Sequence, residues 1–334
     1  MFAKLSGISL AVLLVGCAPT ADIPGPVTPA HGSDGTLFVA NKRGASLSRI
    51  DLATGEETHR ADTCENPHEL TVSPDDALVM VACYSGRSVE IYATEDLRQI
   101  ADIPLGEQAR VHSALWLENF NVVAGAEGRG SLYIVETMET DEPRPIEIGG
   151  GGPGPHMIAV DQERGLGFGT IIPTGEVVRY DLNMRQEVLR RRIGDQIEAL
   201  ALSPDGLTLW VSSNVDSIAY RLDAETLEVQ AEVPTGQVPI RLAMHPSGDF
   251  VVSSNYGSGD LTVIDTATDE VVRTIPVSGS SDAVQVTLVF SEDGSRLYAA
   301  ETATDTIAEI DFASGEVLRR IRTGPGGDGL AVID

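Results

Sequence analysis

Apolar and polar residues alternate along this chain in short runs, and the runs return at a nearly fixed interval. Seven of them superpose: "TLFVAN" at 36–41, "LVMVAC" at 78–83, "NVVAGA" at 121–126, "GLGFGT" at 165–170, "TLWVSS" at 208–213, "DFVVSS" at 249–254 and "RLYAAE" at 296–301. Their starts lie 41 to 47 residues apart. Each is followed by a loop and a second alternating run, among them "SLSRID", "SVEIYA", "SLYIVE" and "EVVRYD". A two-residue period predicts β-strands, and the chain lacks the long 3.6-residue patterns of helices.

Two further runs complete each unit. Ahead of it lies an apolar run that ends in a turn, as in "ELTVSPDD" at 69–76, "ALALSPDG" at 199–206, "RLAMHPSG" at 241–248 and "TLVFSEDG" at 287–294. After it, turns such as "DLATGE" at 51–56 and "DFASGE" at 311–316 lead into a last strand, such as "VLRRIRT" at 317–323. Aspartate opens such turns by accepting from backbone amides two residues on. Four short strands in roughly 40–50 residues are the size of one propeller blade. The first unit begins without its inner strand, whereas "GGDGLAVID" at 326–334 reads as an inner strand with nothing after it. The expectation is an all-β fold, a seven-bladed β-propeller of four-stranded blades over residues 34–334. The C-terminal strand joins the first blade and closes the ring, leaving no open sheet edge.

The stretches "LTVSPDDALVMVACYSGRSVEIYATEDLRQIADIPLG" and "LAMHPSGDFVVSSNYGSGDLTVIDTATDEVVRTIPVSG" resemble the YVTN-type, YncE-like propeller repeat. That resemblance covers about residues 34–334 and implies the same fold. It carries no catalytic residue onto this chain. The third unit departs furthest, since "LWLENFNVV" at 115–123 has no Ser-Pro-Asp turn.

The first 33 residues do not fit the repeat. "MFAKLSGISLAVLLVGC" has one lysine, an apolar run too short to span a bilayer, and a Leu14-Val15-Gly16-Cys17 junction. It resembles a bacterial lipoprotein signal over residues 1–16, with Cys17 as the lipidated first residue of the mature chain. Proline-rich residues 17–33 read as a tether. Ala18 in place of an aspartate favours the periplasm-facing outer membrane as the address. The partners implied are the membrane, through the lipid at Cys17, together with a small molecule, a metal ion or an envelope protein, for a chain expected to be monomeric. Cys64 and Cys83 remain, and an oxidising envelope favours their pairing as a disulfide. Two small buried side chains, or a thiolate metal site, are the alternatives. A formal net charge of −27 argues against nucleic acid as a partner.

Histidine carries the candidate chemistry. His68, His112 and His156 fall 44 residues apart, each at the entry to an inner strand. The matching positions in later units are Glu198, Ile240, Val286 and Gly329. Four adjacent blades would thus offer His, His, His and Glu at the mouth of the central channel. That donor set suits zinc or another divalent metal, while packing or loop hydrogen bonding is the plainer reading. Arg87, Arg241, Asn214, Asn255 and Tyr256, with Tyr84 and Arg129, come from loops or entries expected on the same face and are candidate ligand contacts. No nucleophile elbow, haem-attachment motif or calcium loop is present. The sequence points to a non-enzymatic binding protein. A lactonase- or lyase-type enzyme using hub His and Glu, and an interaction scaffold, are the alternatives.

Overall fold

A computed structural model describes residues 34–137, 142–150 and 152–334. The expected signal peptide, Cys17 and tether lie outside the described residues. Seven four-stranded antiparallel sheets form a closed propeller with almost no helix. Six blades run from inner to outer strand in chain order, with inner strands Pro67–Val72, Val111–Trp116, Ile158–Asp161, Ile197–Leu202, Pro239–Met244 and Gln285–Phe290 in blades 2 to 7. Blade 1 is composite. The C-terminal strand Gly327–Ile333 pairs with Thr36–Asn41, which continues to Ser46–Asp51 and Glu56–Asp62. Among the described residues no helix is long and apolar enough to cross a membrane.

The core is divided among the joints between blades. One apolar cluster sits at each junction, for example Met80, Ile103, Val111 and Tyr133 between blades 2 and 3. Leu37, Ile50, Tyr298 and Ile307 do the same between blades 7 and 1. The middle strands are therefore buried on both faces, as in Leu78–Cys83. The outer strands, such as Gln99–Pro104, face water along most of their length. Burial at both faces explains why the second run of each unit reads as nearly continuous Val, Ala and Leu rather than strict alternation.

Two backbone devices shape the hub. The residue just before the inner strand is left-handed in blades 2, 3, 5, 6 and 7: Asn66, Arg110, Gln196, Val238 and Val284, with φ of 57°, 50°, 48°, 56° and 53°. At Val238 and Val284 a β-branched residue holds this conformation, which is strained and points to a constraint at the mouth. Register shifts follow at once, between Pro67 and Leu70, Val111 and Ser113, Ile197 and Leu200, Pro239 and Arg241, and Gln285 and Leu288. A bulge sets two consecutive residues opposite one and re-aims their side chains.

Candidate functional site

The hub is built at these kinked entries. His68, His112 and His156 come together in a row, with ring centroids 4.6 Å and 3.6 Å apart along it. Tyr84, from the loop after Cys83, packs on His68 at 4.5 Å and meets His112 edge-on at 5.5 Å. All three histidines are buried, at 5%, 2% and 7% exposure. Gly329 closes the ring against them. A Cβ there would lie 1.8 Å from the His68 carbonyl oxygen, so the position tolerates no side chain.

Arg241 crosses the channel. It starts in blade 6, and its guanidinium donates to Glu69 of blade 2 at 3.0 Å and to Glu198 of blade 5 at 3.1 Å. It also approaches His112 Nε2 of blade 3 at 3.5 Å. One side chain thus ties together four blades around the axis. The bulges explain how: Glu69 and Arg241 each follow the histidine phase by one residue, and both still reach the hub. From there the polar chain runs outwards. His156 Nε2 lies 3.4 Å from Glu198 Oε1, a close contact without hydrogen-bond alignment. His156 Nδ1 lies 2.9 Å from Glu127 Oε2. Glu127 accepts from Tyr84 at 3.3 Å, and exposed Arg110 stacks on the Tyr84 ring at 4.6 Å. On another side, Lys42 pairs with buried Asp328 at 3.1 Å.

Burial and charge set the protonation states. Burial, with Lys42 nearby, drives the His68 pKa down to about 3. Burial and the neighbouring histidines hold His112 well below its ordinary value. Both are neutral at physiological pH. Burial also works against a proton on His156, but the Glu127 and Glu198 carboxylates outweigh it and raise the pKa. Burial alone would raise Glu198, yet His156 and Arg241 bring it to about 2. Glu69 is raised by burial, which Arg241 offsets only in part.

Some hub atoms are left without partners. His112 Nε2 faces the Arg241 donor, so its other nitrogen, Nδ1, carries the hydrogen in neutral imidazole. Nδ1 is buried and has no hydrogen-bond partner. The same holds for Asn214 Oδ1, while Asn214 Nδ2 donates to Glu198. Asn66 O accepts from His68 Nδ1 at 3.2 Å, which leaves His68 Nε2 as a lone pair.

The other expected contacts scatter. Arg87 is exposed and pairs with Glu107, and Arg129 pairs with Glu147 on an outer strand at 3.2 Å. Asn255 is fully buried inside its own blade, held by Asp260, Thr262 and Ser253. It therefore does not offer its amide to the channel. Tyr256 lies half-buried in the next loop. A disulfide joins Cys64 and Cys83, Cα atoms 5.8 Å apart. It pins the segment leading to His68 against the end of the strand Leu78–Cys83, next to Tyr84. Among the described residues, the group whose metal-ligating atoms lie mutually close is Cys64, Cys83 and Glu90, whose sulfurs are already bonded to each other. Glu69, Glu127 and Asp328 are site residues the repeat phase did not single out. Only Glu69 left a trace in the sequence, sharing its phase with Arg241.

The class this geometry defines is a seven-bladed propeller with a closed, ion-paired hub. Over residues 175–280 the chain is similar to the family described as lactonase, 7-bladed β-propeller. No curated protein matches the chain by sequence. Among solved structures, it resembles Kuenenia stuttgartiensis hydrazine synthase at 18% identity and a TM-score of 0.72, covering 90% of this chain and 99% of that one. It also resembles dihydro-heme d1 dehydrogenase NirN in complex with DHE at 18% identity and a TM-score of 0.63, covering 92% and 68%. At such identity the likeness is one of fold.

Proposed function

We propose that this chain is an envelope lipoprotein of the YVTN-type, YncE-like kind, tethered through Cys17 to the outer membrane, whose hub binds a small polar ligand. One observation carries the reading: the buried His112 Nδ1–H has no acceptor, in a hub where every strong charge is already paired. A buried polar hydrogen left unmatched costs about 1–3 kcal/mol, which an occupant with an acceptor oxygen recovers. Such a ligand would take the His112 hydrogen and offer a donor to His68 Nε2.

A divalent cation such as zinc is the second occupant this chemistry suits. His68 and His112 are neutral, as ligation requires. Of the expected ligands, His156 Nε2 and Glu198 Oε1 are 3.4 Å apart, close to the roughly 3.3 Å between two ligands on a tetrahedral zinc. No three of the four lie mutually close, so binding would require the rings to move. The metal would replace the His156 proton and draw Glu198 from Arg241. A lactonase- or lyase-type reaction rests instead on the Glu127–His156 pair, whose raised histidine pKa suits a general acid, and on the likeness over residues 175–280.

The test is to purify the protein, denature it, and assay what is released by mass spectrometry and elemental analysis, in wild type and in His112→Ala. A stoichiometric small molecule or metal in the wild type, lost in the variant, supports binding, and its identity separates the two occupants. An empty wild type that no compound or metal in a screening panel stabilises against heat removes the binding reading. Lactone hydrolysis abolished by Glu127→Gln would replace it with the enzyme.

A further inference from the structure

The other face of the ring carries a regular device of its own. At five junctions an arginine reaches from one blade into the turn before the outer strand of the next. Arg49 donates to Thr94 O at 3.0 Å, and Arg179 donates to Glu225 O. Arg221 pairs with Asp269 at 2.7 Å, Arg273 donates to Ala313 O at 2.8 Å, and Arg319 donates to Leu52 O. Three of these arginines, Arg49, Arg179 and Arg221, hold the same place in the third strand. The other two hold the place directly across from it on the outer strand, Arg273 opposite Val263 and Arg319 opposite Glu309. The joints between blades 2 and 3 and between blades 3 and 4 have no such strut. In blade 2 the two places hold Ile91 and Ala101. In blade 3 they hold Ile134 and Ile146, which face each other across the strand pair, and an open cleft accompanies the gap.

A cavity of about 600 Å³ lies at the joint between blades 3 and 4. Its apolar walls are Leu117, Ile134, Val160 and Leu182. Leu182 holds the place of Leu52 and Thr94, whose backbone carbonyls accept the strut elsewhere. Glu118 and Glu163 stand exposed on the lining and make no ion pair among the described residues. Glu136, also on the lining, is bridged by Arg185 at 2.8 Å and Arg144 at 3.5 Å. The volume suits a small molecule. The lining holds one guanidinium, Arg185, which is paired with Glu136; the place along Ile134 is without one, and Glu118 and Glu163 stand on the same lining.

We infer that the cleft between blades 3 and 4 binds a small organic cation, an alkyl guanidinium or similar amine, that occupies the place of the absent arginine strut. The stem packs along Ile134 and Leu117, and the charged head meets the turn at Leu182 and the two unpaired glutamates. Charge-assisted bonds to such a head are strong, and the glutamates steer it in a salt-dependent way. The site is separate from the hub and independent of it.

Titration calorimetry with agmatine tests this, with N-butylurea as the uncharged control. The expected result is one saturable site per chain for agmatine and none for N-butylurea. Ile134→Arg, which supplies the strut in cis, should weaken agmatine binding at least tenfold. Glu118→Gln with Glu163→Gln, both exposed and harmless to folding, should weaken it several-fold and flatten its salt dependence. Absence of saturable binding, equal binding of N-butylurea, or full affinity in the double glutamine variant would each overturn the inference. Should Ile134→Arg fail to fold, by circular dichroism, the double glutamine variant decides.

Discussion

Replacing Arg241 by methionine removes the side chain that crosses the hub while nearly keeping its volume. Its side chain is 5% exposed, and those of Glu69 and Glu198 are 12% and 13% exposed. Breaking a buried ion pair by deleting one partner costs about 3–5 kcal/mol, because the remaining charge is left unmatched. Two carboxylates lose a partner here, but Glu198 keeps Asn214 and His156. We therefore expect a loss of about 4 kcal/mol. For a chain of this length one kcal/mol corresponds to roughly 2 °C, so calorimetry at pH 7.5 should show Tm falling by about 8 °C. Adding Glu69→Gln and Glu198→Gln should restore at least half of that. Acidity supplies an independent check. Without Arg241 the burial that raises the Glu69 pKa loses its main offset, so Glu69 adds stability at low pH and loses it as pH rises. The deficit of the variant should then narrow between pH 7.5 and 5. A deficit below about 1 kcal/mol with no pH dependence would mean that the guanidinium and its carboxylates are solvated, and the argument for a sealed, ion-paired hub would fail.

The wild type should show a pH dependence set by its neutral histidines. The folded His68 pKa of about 3 lies below the ordinary 6.5, so the unfolded chain takes up more protons as pH falls. Stability is complete above pH 6.5 and declines towards pH 3, by about 2 kcal/mol from His68 alone at pH 5. His112 adds in the same direction. His156, raised instead, contributes fully below pH 6.5 and loses its contribution as pH rises through its folded value. Urea midpoints at pH 7.5 and 5 measure the balance. An acid-side loss that persists undiminished in His68→Asn with His112→Asn would show that other groups cause it. Gly329→Ala should cost more than about 3 kcal/mol, since its Cβ would meet backbone at 1.8 Å. Gly279→Ala, at positive φ but with open space around it, should lose only about 1 kcal/mol by the same chemical denaturation. Equal losses at the two glycines would refute the close packing of blade 1 against blade 2.

Much of this protein was legible before any coordinates. The repeat interval, the alternating runs and the missing first inner strand gave seven blades and the closing role of residues 327–333, because each blade is specified locally by its own strands and turns. The phase of His68, His112 and His156 predicted their meeting, since equal positions in a closed ring converge on one axis. The sequence could not show that Arg241 reaches Glu69, more than 170 positions away in the chain, nor that Glu127 holds His156 from a neighbouring loop. Nor could it separate Asn255, bonded within its blade, from Asn214, which sits at the hub. Those facts depend on bulges and left-handed kinks that re-aim single side chains, and a one-residue change of register leaves the hydrophobic pattern unchanged. Pattern and composition thus fixed the ring, while contacts between distant blades decided which charges meet at its centre.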